Sequence, residues 1–226
     1  MYMVSIKERL CLDGGIFLGT LFCMAYAWTG KLLHEWIGMV VVVLFIAHLF
    51  INRRWYGKAF ARKGVPMNGA RKTFNCLLVF MTLGMTVSSV LLSEYVFGFL
   101  GLGGNEVGLT PHLICSYWGF LVMAMHIGLH WQMLTAQLNK TAVGKALCRQ
   151  PWLGRVLSVV SVVFGAVALR HQQYGAHLFM RIGTSDLSYS NSVLLFTIEE
   201  LLIVGLFIVV IRIVQQKVLA RHAKAS

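Results

Sequence analysis

Charged residues are scarce in this chain of 226 residues, because Asp, Glu, Lys and Arg together make up only 12% of it. A soluble domain carries roughly twice that share, about 25%. Apolar residues account for 58% of the chain. This composition excludes an ordinary soluble domain and indicates an integral membrane protein.

Proline is also scarce, and the cysteines lack a recognisable pattern. Only 3 prolines occur, so long helices can run unbroken. The 5 cysteines form no Cys-x-x-Cys pair, which argues against a disulfide framework or a thiolate metal site. The sequence also lacks a phosphate-binding glycine motif, and no spacing typical of a zinc site occurs.

Six apolar stretches are long enough to span a bilayer, for which a helix needs about 20 residues. Helices are favoured because backbone polar groups in lipid must be satisfied within the segment. We therefore predict one all-α domain over residues 1–226, a polytopic transmembrane bundle of about six helices. The predicted helices are Leu10–Thr29, Leu32–Ile51, Thr73–Leu100, Pro111–Gln137, Leu153–Leu169 and Ser192–Ile213.

The basic residues are distributed unevenly between the two sides of these helices. With the N-terminus in the cytoplasm, 17 of the 20 lysines and arginines lie on the cytoplasmic side. The other side holds only Lys31, Arg170 and Arg181. Because cytoplasmic loops are rich in Lys and Arg, we predict that both termini are cytoplasmic. Topology thus explains the net charge of +12, and no nucleic-acid partner is expected.

Four histidines repeat one spacing on two of the predicted helices. His48 follows His34 by 14 residues, and His126 follows His112 by the same 14. Fourteen residues turn a helix by about 1400° and advance it by about 21 Å. The two imidazoles of each helix therefore point within about 40° of each other, on one face of the helix.

The third helix crosses the membrane between the second and the fourth, so the second and fourth helices run in the same direction. His34 and His112 should lie at one depth, and His48 and His126 at another. Facing helices of a bundle can build cofactor sites in this way, and haem iron accepts histidine ligands. A lone membrane histidine can simply bond a neighbour, but ionisable residues in membranes are usually functional. We predict two bis-histidine haem sites.

Four further residues are candidates for contact with the haems. Gly84 and Gly98 lie 14 apart on the predicted third helix, where glycine would let a porphyrin approach; ordinary helix packing is the alternative. His130 lies on the same face as His126 and is an alternative ligand, or a neighbour of a propionate or a quinone. Lys31 is a candidate partner for a haem propionate, or an interfacial anchor.

The sixth predicted helix contains two adjacent carboxylates, Glu199 and Glu200. Buried carboxylates in membranes suggest a proton route or a quinone site. The alternative function is therefore a proton-coupled transporter with an intramembrane His/Glu relay. The remaining histidines, His171, His177 and His222, are expected at the solvated surface.

Beyond the four histidines, several longer stretches form a recognisable pattern: His34–Gly38, His48–Tyr56, Ser89–Phe97, His112, Trp118–Gly119 and His126–Trp131. They resemble the flavinylation-associated cytochrome family, a group of small bacterial membrane proteins. The similarity covers roughly residues 10–137, while the fifth and sixth predicted helices are not specifically recognised. Respiratory cytochrome b shares the 14-residue histidine spacing, so spacing alone does not separate the two families.

The resemblance implies a transmembrane electron carrier in the bacterial inner membrane. It implies two b-type haems in a four-helix core over residues 1–137. The two remaining predicted helices, over residues 138–226, belong to the same domain and follow from hydropathy alone. The implied haem ligands are His34, His48, His112 and His126. The expected partners are lipid, the quinone pool and an extracytoplasmic protein that carries covalently attached flavin.

Overall fold

The computed structural model describes residues 5–61, 68–103, 106–141, 144–145, 150–181 and 192–225. Within these ranges the chain forms helices and no strand, which confirms the predicted all-α bundle. The helices are α1 (Ile6–Met24), α2 (Tyr26–Ala61), α3 (Asn68–Leu92), α4 (Leu109–Leu138), α5 (Pro151–His171), α6 (Tyr174–Leu178) and α7 (Val193–Ala225).

Five of these helices, α2, α3, α4, α5 and α7, are long and apolar enough to cross a membrane. Their outward-facing side chains include many large apolar groups that remain exposed to the surroundings, among them Phe50, Phe80, Val159 and Leu194. Exposed apolar surface of this extent is compatible with lipid and not with water. The protein is therefore a multi-pass membrane protein in contact with lipid.

Helix α1 begins at a capping box formed by Ser5 and Glu8. The Ser5 hydroxyl accepts from the Glu8 N–H, and the Glu8 carboxylate accepts from the Ser5 N–H. The helix ends at Met24, five residues before the predicted end. It packs along α2, and Gly15 and Gly19 allow the two backbones to approach closely.

A glycine shapes the junction between α1 and α2. Gly30 has φ +66° and ψ 172°, a conformation that side chains with a Cβ rarely adopt. The backbone is therefore non-helical at Gly30, and regular helix resumes at Lys31. The long, continuous part of α2 thus begins immediately before His34.

The third helix is shorter than predicted. It ends at Leu92, and a separate 3-10 turn covers Gly98–Leu100. The helix ends where the Glu35 carboxylate accepts hydrogen bonds from the three backbone N–H groups that follow Ser93. These N–H groups bind a side chain of α2 in place of helical carbonyls, so a purely apolar pattern cannot reveal this end.

Helix α7 packs against α4 and α5 through small residues. A Cβ added to Gly128 of α4 would lie 3.1 Å from the Ile208 Cα. A Cβ added to Gly165 of α5 would lie 2.6 Å from the Leu202 carbonyl oxygen. Small residues let membrane helices approach closely, and here they attach the second half of the chain to α4.

Replacement of Gly165 by alanine should destabilise the fold. The added methyl group would collide with the α7 backbone, and overpacking of this kind costs about 1–3 kcal/mol. We expect a lower midpoint of thermal unfolding in detergent. Gly154→Ala on the same helix is the control, because a Cβ there meets nothing within 4 Å. Equal stability of the two variants would contradict this packing.

Candidate functional site

A long cavity of about 1760 Å³ separates the α1–α2 pair from the α3–α4 pair. Its volume exceeds the roughly 300–1,000 Å³ of a pocket for one small ligand. Most of its wall is apolar, but polar side chains concentrate at its two ends. We name these ends after the histidines on α2, as the His34 end and the His48 end. The cavity wall includes His34, His48, His112, His126 and His130.

At the His34 end, helices α2 and α4 present two imidazoles to each other. The ring centroids of His34 and His112 are 5.9 Å apart, and the ring planes meet at 66°. Two imidazole nitrogens that bind one iron from opposite sides, each at about 2 Å, place their centroids about 6 Å apart. The observed separation fits this arrangement.

Both histidines of α2 are held by acceptors on α1. His34 Nδ1 lies 3.1 Å from the Cys23 carbonyl oxygen, and His48 Nδ1 lies 2.7 Å from Asp13 Oδ1. A carbonyl or carboxylate oxygen can only accept, so each Nδ1 carries the proton. In the neutral ring, a proton on Nδ1 leaves Nε2 free to bind a metal, which is the usual arrangement of a metal-bound histidine.

His112 has a comparable environment on the opposite wall. Its Nδ1 lies 3.3 Å from the Ser89 hydroxyl oxygen and 3.5 Å from that of Ser88, both on α3. No role for these serines was apparent from the sequence. Their hydroxyls contact Nδ1 of the His112 ring and leave its Nε2 without a contact to them.

At the His48 end, α4 offers two imidazoles. The rings of His126 and His130 lie 4.6 Å apart, and both residues line the cavity together with His48. Within the described residues, His126 Nδ1 and His130 Nε2 are buried without a hydrogen-bond partner. Both candidate ligands therefore lie on the wall of the same cavity as His48.

Lys31 forms an ion pair with Glu94 at the His34 end, with 2.5 Å between Nζ and Oε1. Nearby, Glu35 accepts from the Ser93 hydroxyl at 2.7 Å in addition to the three backbone N–H groups. These contacts join α2 to the segment that follows α3. The Lys31 ammonium therefore has an acidic partner within the protein, and its contact with a haem propionate stays a prediction.

The two glycines predicted to line a porphyrin have other positions. A Cβ added to Gly84 would lie 2.8 Å from Cys115 Sγ, so this glycine allows α3 to pack on α4. Gly98 is not on α3 at all, since it begins the 3-10 turn. Neither residue is among those that line the cavity. The predicted pairing of these glycines on one helix is wrong.

A second polar cluster lies where α5, α6 and α7 meet α4. The Tyr174 hydroxyl donates to Glu200 Oε2 at 2.5 Å, and each of these residues is only 1% exposed. Tyr117, which lines the cavity, lies edge-on to Tyr174 at 5.3 Å between centroids. Burial and the Glu200 carboxylate raise the pKa of the Tyr174 phenol, which therefore stays protonated as a donor.

Of the three histidines expected at the surface, His171 and His222 are exposed and His177 is not. His177 is 8% exposed and stacks on Tyr117 with 4.4 Å between centroids, so its predicted exposure is wrong. His171 is exposed, and its Nδ1 lies 2.7 Å from Glu199 Oε1. The short helix α6, which was not predicted, carries His177 and turns it inward.

Sequence reasoning overlooked Asp13, a single carboxylate within the apolar stretch predicted as the first helix. An ionisable residue in such a stretch is usually functional, so this signal was available. Arg71 and Asn75 gave no such signal, because they lie near the predicted start of α3 and resemble interfacial residues. The side chains of Arg54, Trp55 and Tyr56, which belong to the matching stretches, lie outside the described part of the chain.

The potential metal ligands in the described part of the chain suit some metal centres better than others. The described residues contain no group of three or more His, Cys, Asp and Glu side chains that would enclose a metal ion. A porphyrin supplies four nitrogens itself and needs only axial ligands from the protein. The opposed imidazoles of His34 and His112, with Nδ1 of His34 held by a carbonyl, fit that need.

Comparison of this chain with models of known protein families, with curated proteins and with solved structures finds no match.

Proposed function

We propose that this protein is a membrane cytochrome that carries electrons on two b-type haems, each bound between α2 and α4. The observation that carries the proposal is the opposed pair His34 and His112, whose centroids are 5.9 Å apart across the cavity. The anchoring of both α2 imidazoles through Nδ1 adds support, because it leaves Nε2 of each ring for iron.

The second site would be formed by His48 together with His126, with His130 as the alternative ligand. The 14-residue spacing favours His126, since it lies at the same depth relative to His112 as His48 does relative to His34. Haem supplies a one-electron couple when bound. The role of these side chains is to hold it, to fix its orientation and to keep it out of contact with lipid and water.

The cellular setting of this proposal is the bacterial inner membrane with both termini in the cytoplasm. The uneven distribution of Lys and Arg between the two sides supports this orientation. The His34 end would then face the outside, where we propose a flavin-carrying protein as the redox partner. The His48 end would face the cytoplasmic leaflet, and we propose the quinone pool as the other partner. The flavin-carrying partner is proposed because the chain resembles the flavinylation-associated cytochromes.

A second candidate function is a proton relay, and the buried Glu200 favours it. This carboxylate bonds to Tyr174, and Tyr117 connects Tyr174 with the cavity. Toward the surface, Glu199 bonds to the exposed His171 and to Gln172. A proton-coupled transporter would use these groups without any haem. Purified protein that is folded but colourless would favour this function and exclude the cytochrome.

The cytochrome proposal predicts two haems per chain with the visible spectrum of six-coordinate, low-spin iron. We expect His34→Ala or His112→Ala to remove one haem, and His48→Ala or His126→Ala to remove the other. Pyridine haemochrome assay and redox titration of each purified variant measure this. If only His130→Ala affects the second haem, His130 is the ligand there.

His171→Ala is the matched control, because His171 is exposed and lies outside the cavity wall. It should retain both haems. Retention of both haems in His34→Ala and His112→Ala would refute the assignment of the first site.

Asp13→Asn should alter the haem bound by His48 and leave the other unchanged. The carboxylate increases the basicity of the His48 imidazole, and loss of such a partner costs about 10–100-fold in metal affinity. It also favours ferric iron, so the midpoint potential of this haem should rise in the variant. Redox titration and competition with apomyoglobin for haem measure the two effects.

The control for this variant is Cys23→Ala, which retains the backbone carbonyl that holds His34. Its two haems should have the potentials of the unaltered protein. An Asp13→Asn protein with both potentials unchanged would show that Asp13 does not act through His48.

A further inference from the structure

Buried polar atoms without partners cluster at the His48 end of the cavity. Within the described residues they are Arg71 Nε and Asn75 Oδ1 on α3, with His126 Nδ1 and His130 Nε2 on α4. All four residues line the cavity. Buried polar groups are nearly always hydrogen-bonded, so a cluster of four unpaired atoms in one cavity indicates a ligand.

The arrangement of these residues follows from the antiparallel packing of α3 on α4. Arg71 is close enough to His130 to interact with it electrostatically. Asn75 lies one helical turn from Arg71 on the same helix face, toward the level of His126. Asn75 is only 9% exposed, although its oxygen has no partner. This amide is therefore part of the protein interior and is not a solvated surface group.

The mixture of donors and acceptors restricts the chemistry of the ligand. Arg71 Nε–H can only donate, and Asn75 Oδ1 can only accept. The free imidazole nitrogen of His130 donates or accepts, according to its tautomer. An ionised carboxylate would satisfy Arg71 but has no proton for Asn75. A hydroxyl group bound to an aromatic ring can accept from Arg71 and donate to Asn75.

The surroundings suit an aromatic ring with an apolar tail. Leu78 and Trp131 line the same cavity, as does Leu134, one turn beyond His130 on α4. His130 lies eight residues before the end of α4 at Leu138, about 12 Å along the axis. The polar cluster is therefore near one end of the membrane-crossing helices, where a lipid-soluble ligand can bring a polar head group.

We propose that Arg71, Asn75 and His130 bind the hydroxylated ring of a membrane hydroquinone, whose O–H can donate to Asn75 as the oxidised quinone cannot. The choice of a redox-active ring rests on the proposed function, whereas the hydrogen-bonding pattern is a property of the residues themselves. This places the quinone at the His48 end, beside one proposed haem. It also gives His130 a role that does not require it to be an axial ligand.

The test uses the purified full-length protein in detergent. A photoactivatable azidobenzohydroquinone with a short alkyl chain, used with the reduced protein, should crosslink to peptides from the first half of α3 and the second half of α4. Isothermal titration of the reduced protein with decylubiquinol should give weaker binding, by about tenfold or more, in Asn75→Leu and in Arg71→Leu, because each loses a hydrogen bond from a buried site.

Gln215→Leu is the matched control, because it also removes a buried amide but lies on α7 outside the cavity wall. It should bind decylubiquinol as the unaltered protein does. Crosslinks confined to other helices, or unchanged affinity in Asn75→Leu, would overturn the proposal. So would loss of a haem in Asn75→Leu, since the residue would then serve the haem.

The outcomes separate this site from the cytochrome proposal. Colourless protein that binds decylubiquinol, with the expected loss in Asn75→Leu, would refute the cytochrome but support the hydroquinone site. Protein with two haems and no measurable decylubiquinol binding would support the cytochrome and refute the hydroquinone site.

Discussion

Polar side chains among apolar helices must find partners within the protein, and this constraint organises the first half of the chain. Unpaired polar groups are costly in such an environment, so they gather along one internal cavity. Helix α1 supplies acceptors for both imidazoles of α2, and α3 supplies hydroxyls for His112. The four helices therefore form two packed pairs that face each other across the cavity.

The Glu35 carboxylate is the contact that fixes the His34 end. It binds three consecutive backbone N–H groups and the Ser93 hydroxyl, so α3 stops at Leu92 and its continuation remains beside α2. A charged acceptor makes such hydrogen bonds stronger than neutral ones. Since His34 is the residue before Glu35, the same contact restrains the α2 backbone that carries the imidazole, while the Cys23 carbonyl holds the ring itself.

Several features of the site were accessible from the sequence because they depend on helical geometry alone. The 14-residue spacing correctly placed His34 and His48 on the cavity side of α2, and His112 and His126 on the cavity side of α4. The prediction that Gly84 and Gly98 share one helix was wrong, because α3 ends before Gly98. The predicted exposure of His177 was wrong, because residues 174–178 form a short helix that turns this histidine inward.

The sequence by itself determined the membrane class, the all-helical fold and the shared helix face of each pair of histidines 14 residues apart, since composition and periodicity are local properties. It predicted six spanning helices, whereas five of the described helices are long and apolar enough to span a membrane. Only the tertiary structure decided that Asp13 meets His48, that Glu35 ends α3 and that Arg71 and Asn75 lie beside His130. These are contacts between separate helices. They depend on how the helices pack, which the period of any one helix does not specify.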